Sequence, residues 1–397
     1  MKVAYFCTTF PVLSETFLQR EVQALISRKD LELTIFSLWK GEKQWNTIPV
    51  NTLPKWKLLN LFWLIPYEGL RNPKGLWRIT KTLFSRKPTS WLNFWENLLG
   101  IGAAFLLARK IRKLNPNHLH ATWASMPAAT TLSLHHLLNI PFSFGAHAYD
   151  IFEHGGDWLL KTKSDKTAFI HTSTANAAYT LEDRGASTEK IKLIRRGLSE
   201  FPLFNSKRRD TDTLRIMSVG RLVEKKGYFH QLDIYQALKA LKIPFEAHIL
   251  GDGPLREVLA KRIKALNLTS EVKLLGSVEH KSVLEQYYWA DFFLFTGIVA
   301  NSGDRDGLPN VIPEAMACGV TVLTSNVAGT LEAIKNEETG IICPVETPEA
   351  WVNALQILHK NSLLNEQIRE QARQWVVEHF DAHKNTDILV SQFNGSN

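Results

Sequence analysis

The stretch SGDRDGLPNVIPEAMACG, residues 302–319, sets two carboxylates, Asp306 and Glu314, eight positions apart, with Gly307, Leu308 and Pro309 making a turn after the first. A proline in the first turn of a helix costs nothing, because its missing N–H has no partner to lose there. That placement puts Asp306 in the loop before a helix and Glu314 on the helix's second turn, both facing one cavity. Carboxylates so placed accept hydrogen bonds from sugar or ribose hydroxyls, while the free N–H groups of a helix N-terminus attract phosphate. Taken alone, the segment fits a solvated loop acid and a helix-surface glutamate equally well. A second string, SVGRLVEKKG at 218–227, comes straight off a predicted strand. Gly220 allows tight passage there, and Arg221 and Lys226 are two cations suited to a diphosphate. The turn GDGP, starting at Gly251, reads as a tight strand-to-helix connection lining the same cleft.

The elements that must hold these residues alternate. KVAYFCTTF is followed by the helical pattern of SETFLQREVQALISR and a second strand, LELTIFSLW. Later come HLHATW, PFSFGAHAYDIF, AFIHTST and KIKLIRRG with helical stretches between them. After the polar, proline-containing segment 199–213, a second series runs through LRIMSVG, FEAHILGDG, VKLLGSV, DFFLFTG, VTVLTSN and TGIICP. Strands alternating with helices predict parallel sheets, hence an α/β fold of two Rossmann-like domains, 1–200 and 201–380. The tail, 381–397, is expected to cross back to the first domain. Ligands of such sheets bind at the carboxyl ends of the strands.

A chain of 397 residues suits two domains, and 45% apolar with 22% charged residues describes a folded, soluble protein. Three scattered cysteines offer neither a disulfide framework nor metal-ligand spacing, so a reducing cytoplasm is expected. The opening residues are too short and polar a run for a secretory signal, and no apolar run reaches the roughly 20 residues of a spanning helix. Charge is divided unevenly: residues 1–200 hold 26 Lys and Arg against 15 Asp and Glu, and residues 201–397 hold 21 against 24. Between Lys40 and Ser90 ten basic residues face only Glu42 and Glu68, and seven of the twelve tryptophans fall between Trp39 and Trp95. Cations mixed with Trp, Leu and Phe suit peripheral contact with an anionic membrane; a Trp-rich subdomain with a solvated basic face is the plainer reading. Nucleic acid is not expected, since no nucleic-acid motif accompanies the charge.

In its ordered landmarks SVGRLVEKKG, HILGDGP, VKLLGSV, DGLPNVIPEAMACG and TGIICP, the second half resembles the nucleotide-sugar-binding domain of glycosyltransferase family 4, the retaining enzymes of GT-B architecture. FPVLSETFLQREV, HLHATWA and FGAHAYDIF resemble the exopolysaccharide and colanic-acid branch, so the resemblance spans nearly the whole chain. It implies two domains facing a central cleft. It implies that Arg221 and Lys226 bind the donor diphosphate and Glu314 the ribose. Asp306 would contact the donor sugar, and the segment Gly307, Leu308, Pro309, Asn310 would help hold phosphate. His147 matches the family's histidine near the reaction centre, with Asp150 placed to orient it. Ser14, Glu15 and Thr16 become acceptor-side candidates, with His118 and His120 as weaker ones. The family carries Glu where Asp306 stands, one methylene longer, so the exact partner of this carboxylate is not carried over.

The resemblance implies transfer of a hexose from a UDP- or GDP-hexose, with retention, to a saccharide or lipid-linked acceptor in surface polysaccharide synthesis at the inner face of a membrane. No cofactor and no metal are expected: Asp304-Arg305-Asp306 imitates a paired-aspartate metal motif, and a cation between the acids argues against one. A nucleotide-sugar-binding subunit without turnover is the alternative. A dinucleotide oxidoreductase fits poorly, because neither GRLVEKKG nor ILGDGP completes a G-x-G-x-x-G fingerprint.

Overall fold

The protein is described by a computed structural model over residues 1–12, 15–85, 87, 88, 90–205 and 211–395. It divides into two units. Unit 1 is Met1–Arg196 with Ala382–Asn397, and unit 2 is Gly197–Asp381.

Unit 1 is built on eight strands: β1 (Lys2–Phe10), β2 (Glu32–Gly41), β3 (Gln44–Trp45), β4 (Ile48–Thr52), β5 (His118–Ala121), β6 (Phe142–Gly145), β7 (Ile170–Thr172) and β8 (Ile191–Leu193). They lie in the order β3-β4-β2-β1-β5-β6-β7-β8, parallel throughout except for the β3–β4 pair. β1 and β5 are buried on both faces, as a sheet covered by helices on either side requires. One cover is α1 (Thr16–Ile26) together with the helix Ala382–Asn394, whose Phe393 ring packs 5.1 Å from His118. The chain's last helix thus belongs to unit 1.

On the other face lie α2 (Leu61–Arg71), α3 (Pro73–Leu83), α4 (Trp91–Leu114) and α5 (Met126–Leu138). α4 and α5 approach closely because a Cβ on Gly100 would sit 2.4 Å from the Met126 carbonyl. The buried Glu68 carboxylate ties α2 to α4 through Arg112, at 2.7 Å.

Unit 2 holds β9 (Leu214–Val219), β10 (Phe245–Leu250), β11 (Val272–Gly276), β12 (Phe292–Phe295), β13 (Thr321–Ser325) and β14 (Ile341–Cys343), all parallel, in the order β11-β10-β9-β12-β13-β14. Its core pairs Ile216, Ile249, Phe292 and Leu294 of the sheet with Leu232, Tyr235 and Trp351 of the covering helices. The direction of strand succession reverses between β9 and β12. In open α/β sheets this reversal leaves a crevice at the strands' carboxyl ends, and unit 1 has the same feature between β1 and β5.

Candidate functional site

In unit 2 the connections leaving β9 and β12 are stitched to each other. The Gly227 backbone, at φ +68°, passes so close to β12's end that an added Cβ would lie 1.7 Å from the Thr296 carbonyl, a position only glycine can hold. Thr296 Oγ1 donates to the Gly227 carbonyl at 3.0 Å, and the Ile298 N–H to that of Lys225 at 2.9 Å. Gly251 is equally constrained: its added Cβ would fall 2.0 Å from the Gly220 carbonyl.

This stitching brings the two charged strings together. Lys226 Nζ lies 2.7 Å from Asp306 Oδ2, Lys225 Nζ 3.5 Å from Asp306 Oδ1 and 2.9 Å from Asp304 Oδ2. Burial pushes the Asp306 carboxyl up, but Lys226 and Lys225 outweigh it and hold the group below its ordinary value. Lys225 is lowered by burial and raised more strongly by Asp306 and Asp304, so it stays charged. The two aspartates of the metal-like string are therefore neutralised by lysines. Lys225, which the sequence reading passed over in favour of its neighbour, holds both. Gly220 borders the same spot, its added Cβ 3.3 Å from Lys226 Cε, while Arg221 is exposed.

The helix after the second string begins later than expected. It runs Val311–Cys318, with Asn310 as its N-cap, not from Pro309; the Pro309 carbonyl accepts from the Ile312 N–H at 3.1 Å. Glu314 thus falls in the first turn rather than the second, 8% exposed, with the Tyr287 hydroxyl donating to Oε2 at 3.2 Å. At the other end, Arg373 and Arg369 donate to the Ala317 and Gly319 carbonyls, cations where the helix dipole favours them. Gly307, Leu308 and Asn310 are partly exposed beside the helix start, and Pro309 is buried.

In unit 1, the loops after β1, β5 and β6 converge. His147 is buried, its ring edge-on to Trp123 at 5.7 Å and to His171 at 4.9 Å. Burial first, then Arg196, His171 and His120, hold its pKa well below the imidazole's ordinary value, so the ring is neutral. Its Nδ1 finds no hydrogen-bond partner among the described residues. Asp150 does not orient that ring. Its carboxylate accepts instead from the backbone N–H groups of His147 (3.1 Å), Ala148 (2.9 Å) and Ala124 (3.0 Å), which clamps the two loops that carry His147 and Trp123. The wholly buried Lys163 helps from below: its ammonium donates to the Ala124 and Ser125 carbonyls and pairs with Asp157 at 2.6 Å.

Of the acceptor-side candidates, Glu15 stands at the N-cap of α1 and Thr16 opens that helix, both partly buried, while Ser14 lies outside the described residues. Burial raises the Glu15 carboxyl, and Arg196 and a hydrogen bond with Trp123 pull it back. His120 and His118 are corrected by the structure. They are 1% and 0% exposed, bridged by Ser143 Oγ at 2.8 and 2.7 Å and covered by Phe169 and Phe393, so neither reaches a ligand at the surface. On β5 they point alternately with Leu119 into the layer under α1, and that period-2 placement was the available sign. Arg196, just past β8, stacks on Phe17 at 3.4 Å and lies 5.6 Å from Trp123. Neither Arg196 nor Trp123 was singled out from sequence. Only their place at strand ends marked them.

A separate surface of unit 1 is apolar and basic. Trp56, Phe62, Trp63, Trp77, Phe84 and Trp91 are each 66–84% exposed, on or beside α2, α3 and the start of α4, among Lys55, Lys57, Lys74 and Lys81. Glu68, one of the two acids expected here, is buried against Arg112. No helix is long and apolar enough to cross a membrane among the described residues.

Residues 200–375 match the family described as glycosyl transferases group 1. A candidate colanic acid biosynthesis glycosyltransferase of Escherichia coli K12, WcaL, is 28% identical over 89% of this chain and 90% of its own length. The amylovoran biosynthesis glycosyltransferase AmsK of Erwinia amylovora is 36% identical over 40% of each chain. Among solved structures, Anabaena HepE in complex with UDP and glucose superposes with a TM-score of 0.72 at 15% identity, covering 99% of both chains. The lipopolysaccharide outer core galactosyltransferase WaaB in its apo form gives 0.67 at 14% identity, covering 100% of this chain and 99% of its own. The charged switch point of unit 2 therefore lies inside the segment that matches glycosyl transferases group 1, and over its whole length the chain has the GT-B fold and is similar to glycosyltransferases of polysaccharide synthesis.

Proposed function

We propose that the protein is a glycosyltransferase that moves a hexose from a UDP- or GDP-hexose, with retention of anomeric configuration, to a saccharide or lipid-linked acceptor in the making of a surface polysaccharide. The observation that carries the reading is the meeting of Lys225 and Lys226 with Asp306 at the carboxyl ends of β9 and β12, in the segment that leads into the helix whose first turn carries Glu314. Two lysines beside a helix N-terminus suit a diphosphate, and a buried carboxylate braced by Tyr287 suits the paired hydroxyls of a ribose. The relatives named for colanic acid and amylovoran synthesis, and HepE with UDP and glucose, support the product class and the donor class.

In the transfer, the bond from C1 to the diphosphate oxygen breaks as the acceptor oxygen attacks the same face, and the acceptor's proton passes to the departing phosphate oxygen. Lys226, Arg221 and the N–H groups near 307–310 stabilise the charge that develops on that oxygen. Asp306 must exchange its lysine for a sugar hydroxyl when donor enters. His147, neutral and with an unpaired Nδ1, is suited to hydrogen-bond a substrate hydroxyl. Transfer is proposed to need no metal, since lysines already answer the charge of Asp304 and Asp306.

The test is a donor panel of UDP- and GDP-hexoses without added metal, following nucleoside diphosphate release with membrane lipid extract as acceptor. Release from one donor, abolished in Glu314→Gln, is expected; donor binding without release would leave a sugar-nucleotide-binding subunit. Peripheral contact of α2, α3 and the start of α4 with an anionic inner leaflet completes the reading. Aromatic rings would sit at headgroup level with lysines on the phosphates. Sedimentation with vesicles containing phosphatidylglycerol should fall at least tenfold in the Trp63→Ser, Trp77→Ser double variant, and binding unchanged by it would reject this surface.

A further inference from the structure

Beneath the His147 wall of unit 1, three side chains from three elements converge: Glu21 of α1, His120 of β5 and His171 of β7. One potential ligand atom from each lies within 4.8 Å of the others. Each side chain is already held from its far side. His120 Nδ1 is 2.8 Å from Ser143 Oγ, His171 Nε2 is 3.0 Å from the Ile194 carbonyl, and Glu21 accepts from the Tyr5 hydroxyl. Metal-binding histidines show this arrangement: one ring nitrogen is fixed by a hydroxyl or carbonyl, which sets the tautomer and leaves the other nitrogen's lone pair for the ion. Both imidazoles are held below their ordinary pKa by burial, so they are neutral and ready to donate. Two imidazoles and one carboxylate are a donor set for zinc and its borderline neighbours, not for calcium or magnesium.

We propose that Glu21, His120 and His171 bind one divalent transition-metal ion of the zinc type, through His120 Nε2, His171 Nδ1 and a Glu21 oxygen, with a solvent oxygen in the fourth position. Zinc holds such ligands at about 2.0–2.2 Å, so the three atoms close in by roughly an ångström on binding, a movement within reach of the half-buried Glu21. The ion would tie α1 to β5 and β7 and fix the His171 ring, against which His147 rests at 4.9 Å. Its role is bracing; the diphosphate chemistry assigned to unit 2 does not pass through it. The competing use of Glu21 is charge balance for the buried Arg196, which feels the Glu21 charge.

The test uses the full chain without a histidine tag, dialysed against Zn²⁺ or Co²⁺ and then metal-free buffer. About one ion per chain is expected, with Co²⁺ giving the visible absorption of a low-symmetry N/O site and chelator lowering Tm. Three variants keep the supporting hydrogen bonds and remove one ligand each. In His171→Gln the amide reaches the Ile194 carbonyl, in His120→Asn it reaches Ser143, and Glu21→Gln keeps the Tyr5 contact. Each should lose affinity about tenfold or more and lose the chelator effect on Tm, while His118→Asn keeps both. A wild-type chain with no stoichiometric ion and no Co²⁺ spectrum overturns the proposal and leaves Glu21 as the counter-charge of Arg196. So does an ion retained equally in all three variants. Because the wild-type Co²⁺ spectrum decides without any variant, misfolding of one of them does not rescue the idea.

Discussion

The two switch points answer the same topological opportunity with opposite chemistry. At the ends of β9 and β12 unit 2 gathers charge: two lysines and two aspartates, paired at 2.7–3.5 Å and still partly open to solvent. At the ends of β1, β5 and β6 unit 1 gathers rings: His147, buried and neutral, Trp123, buried, and Tyr149, partly buried, with the Arg196 guanidinium laid on Phe17. Pairing cations with acids holds them charged in a half-buried place, and in the proposed reaction a more highly charged diphosphate displaces the acids. Packing an imidazole among rings keeps it uncharged, so that it can hydrogen-bond a hydroxyl without competing for phosphate. Under the proposed function, the difference gives donor charge to one sheet and neutral hydroxyl recognition to the other.

The comparison breaks most visibly if charge is removed from one side and the ring from the other. Lys226→Met should lower kcat for diphosphate release about 10²–10³-fold, in line with the loss of one preorganised donor at developing charge. Lys225→Met should cost less, since it reaches Asp306 at 3.5 Å rather than 2.7 Å. His147→Ala should reduce transfer to acceptor while leaving the affinity for the nucleoside diphosphate unchanged. Should Lys226→Met leave diphosphate affinity intact, or His147→Ala lower it, the division of labour fails.

The scaffolds can be separated in the same way. Gly227→Ala places a methyl 1.7 Å from the Thr296 carbonyl at a φ of +68°, so a loss of more than about 3 kcal/mol in unit 2 is expected, read as a lower urea midpoint. Gly145→Ala has a softer neighbour: its methyl would lie 2.6 Å from His147 Nε2, the end of a side chain, as well as 2.5 Å from the Thr122 carbonyl. It should disturb the His147 ring, lowering transfer more than it lowers donor binding.

Legibility followed how local each site is. Unit 2's candidate site is two short strings, each leaving one strand, so Gly220, Lys226, Asp306 and Glu314 could be named from spacing and from resemblance, and the structure pairs Lys226 with Asp306. What failed there was a helix start: Asn310 is the N-cap, and Pro309 lies before it, its carbonyl accepting from the Ile312 N–H. Unit 1's site is assembled from residues as far apart as Glu15, Trp123, His147 and Arg196. No spacing rule joins them, and the strand period that buries His118 and His120 outweighed their chemical promise. The β/α alternation itself, in both sheets, was plain in the apolar strand runs. Asp150 was singled out for the right loop and the wrong bond: a carboxylate with three backbone N–H groups in reach is satisfied by them and has no capacity to spare for a ring.

The smallest effect expected is also the one that best separates the units by pH. Beside the buried Asp157–Lys163 pair, Glu96 is pushed up to about 7, chiefly by burial and next by the Asp157 charge, against a smaller pull from Lys163. A carboxyl that binds its proton more tightly when folded stabilises the fold fully below its unfolded pKa near 4.5. That contribution is lost as pH rises through about 7. Glu96→Gln keeps a neutral group at every pH, so the variant and the parent should match near pH 4.5, with the variant more stable by about 2 kcal/mol at pH 8 once residual solvent screening is allowed for. The buried histidines His120, His147 and His171 act with the opposite sign: their lowered pKa values give stability above about 6.5 that is lost as pH falls. They are common to parent and variant and cancel in the difference. Asp306 in unit 2, held low by its lysines, changes only at more acid pH, so a difference between parent and variant that develops between pH 4.5 and 7 and then levels off reports unit 1 alone. A parallel pair of stability curves would mean that Glu96 is solvated, and that the polar network under the Trp123 loop is wetter than its packing implies.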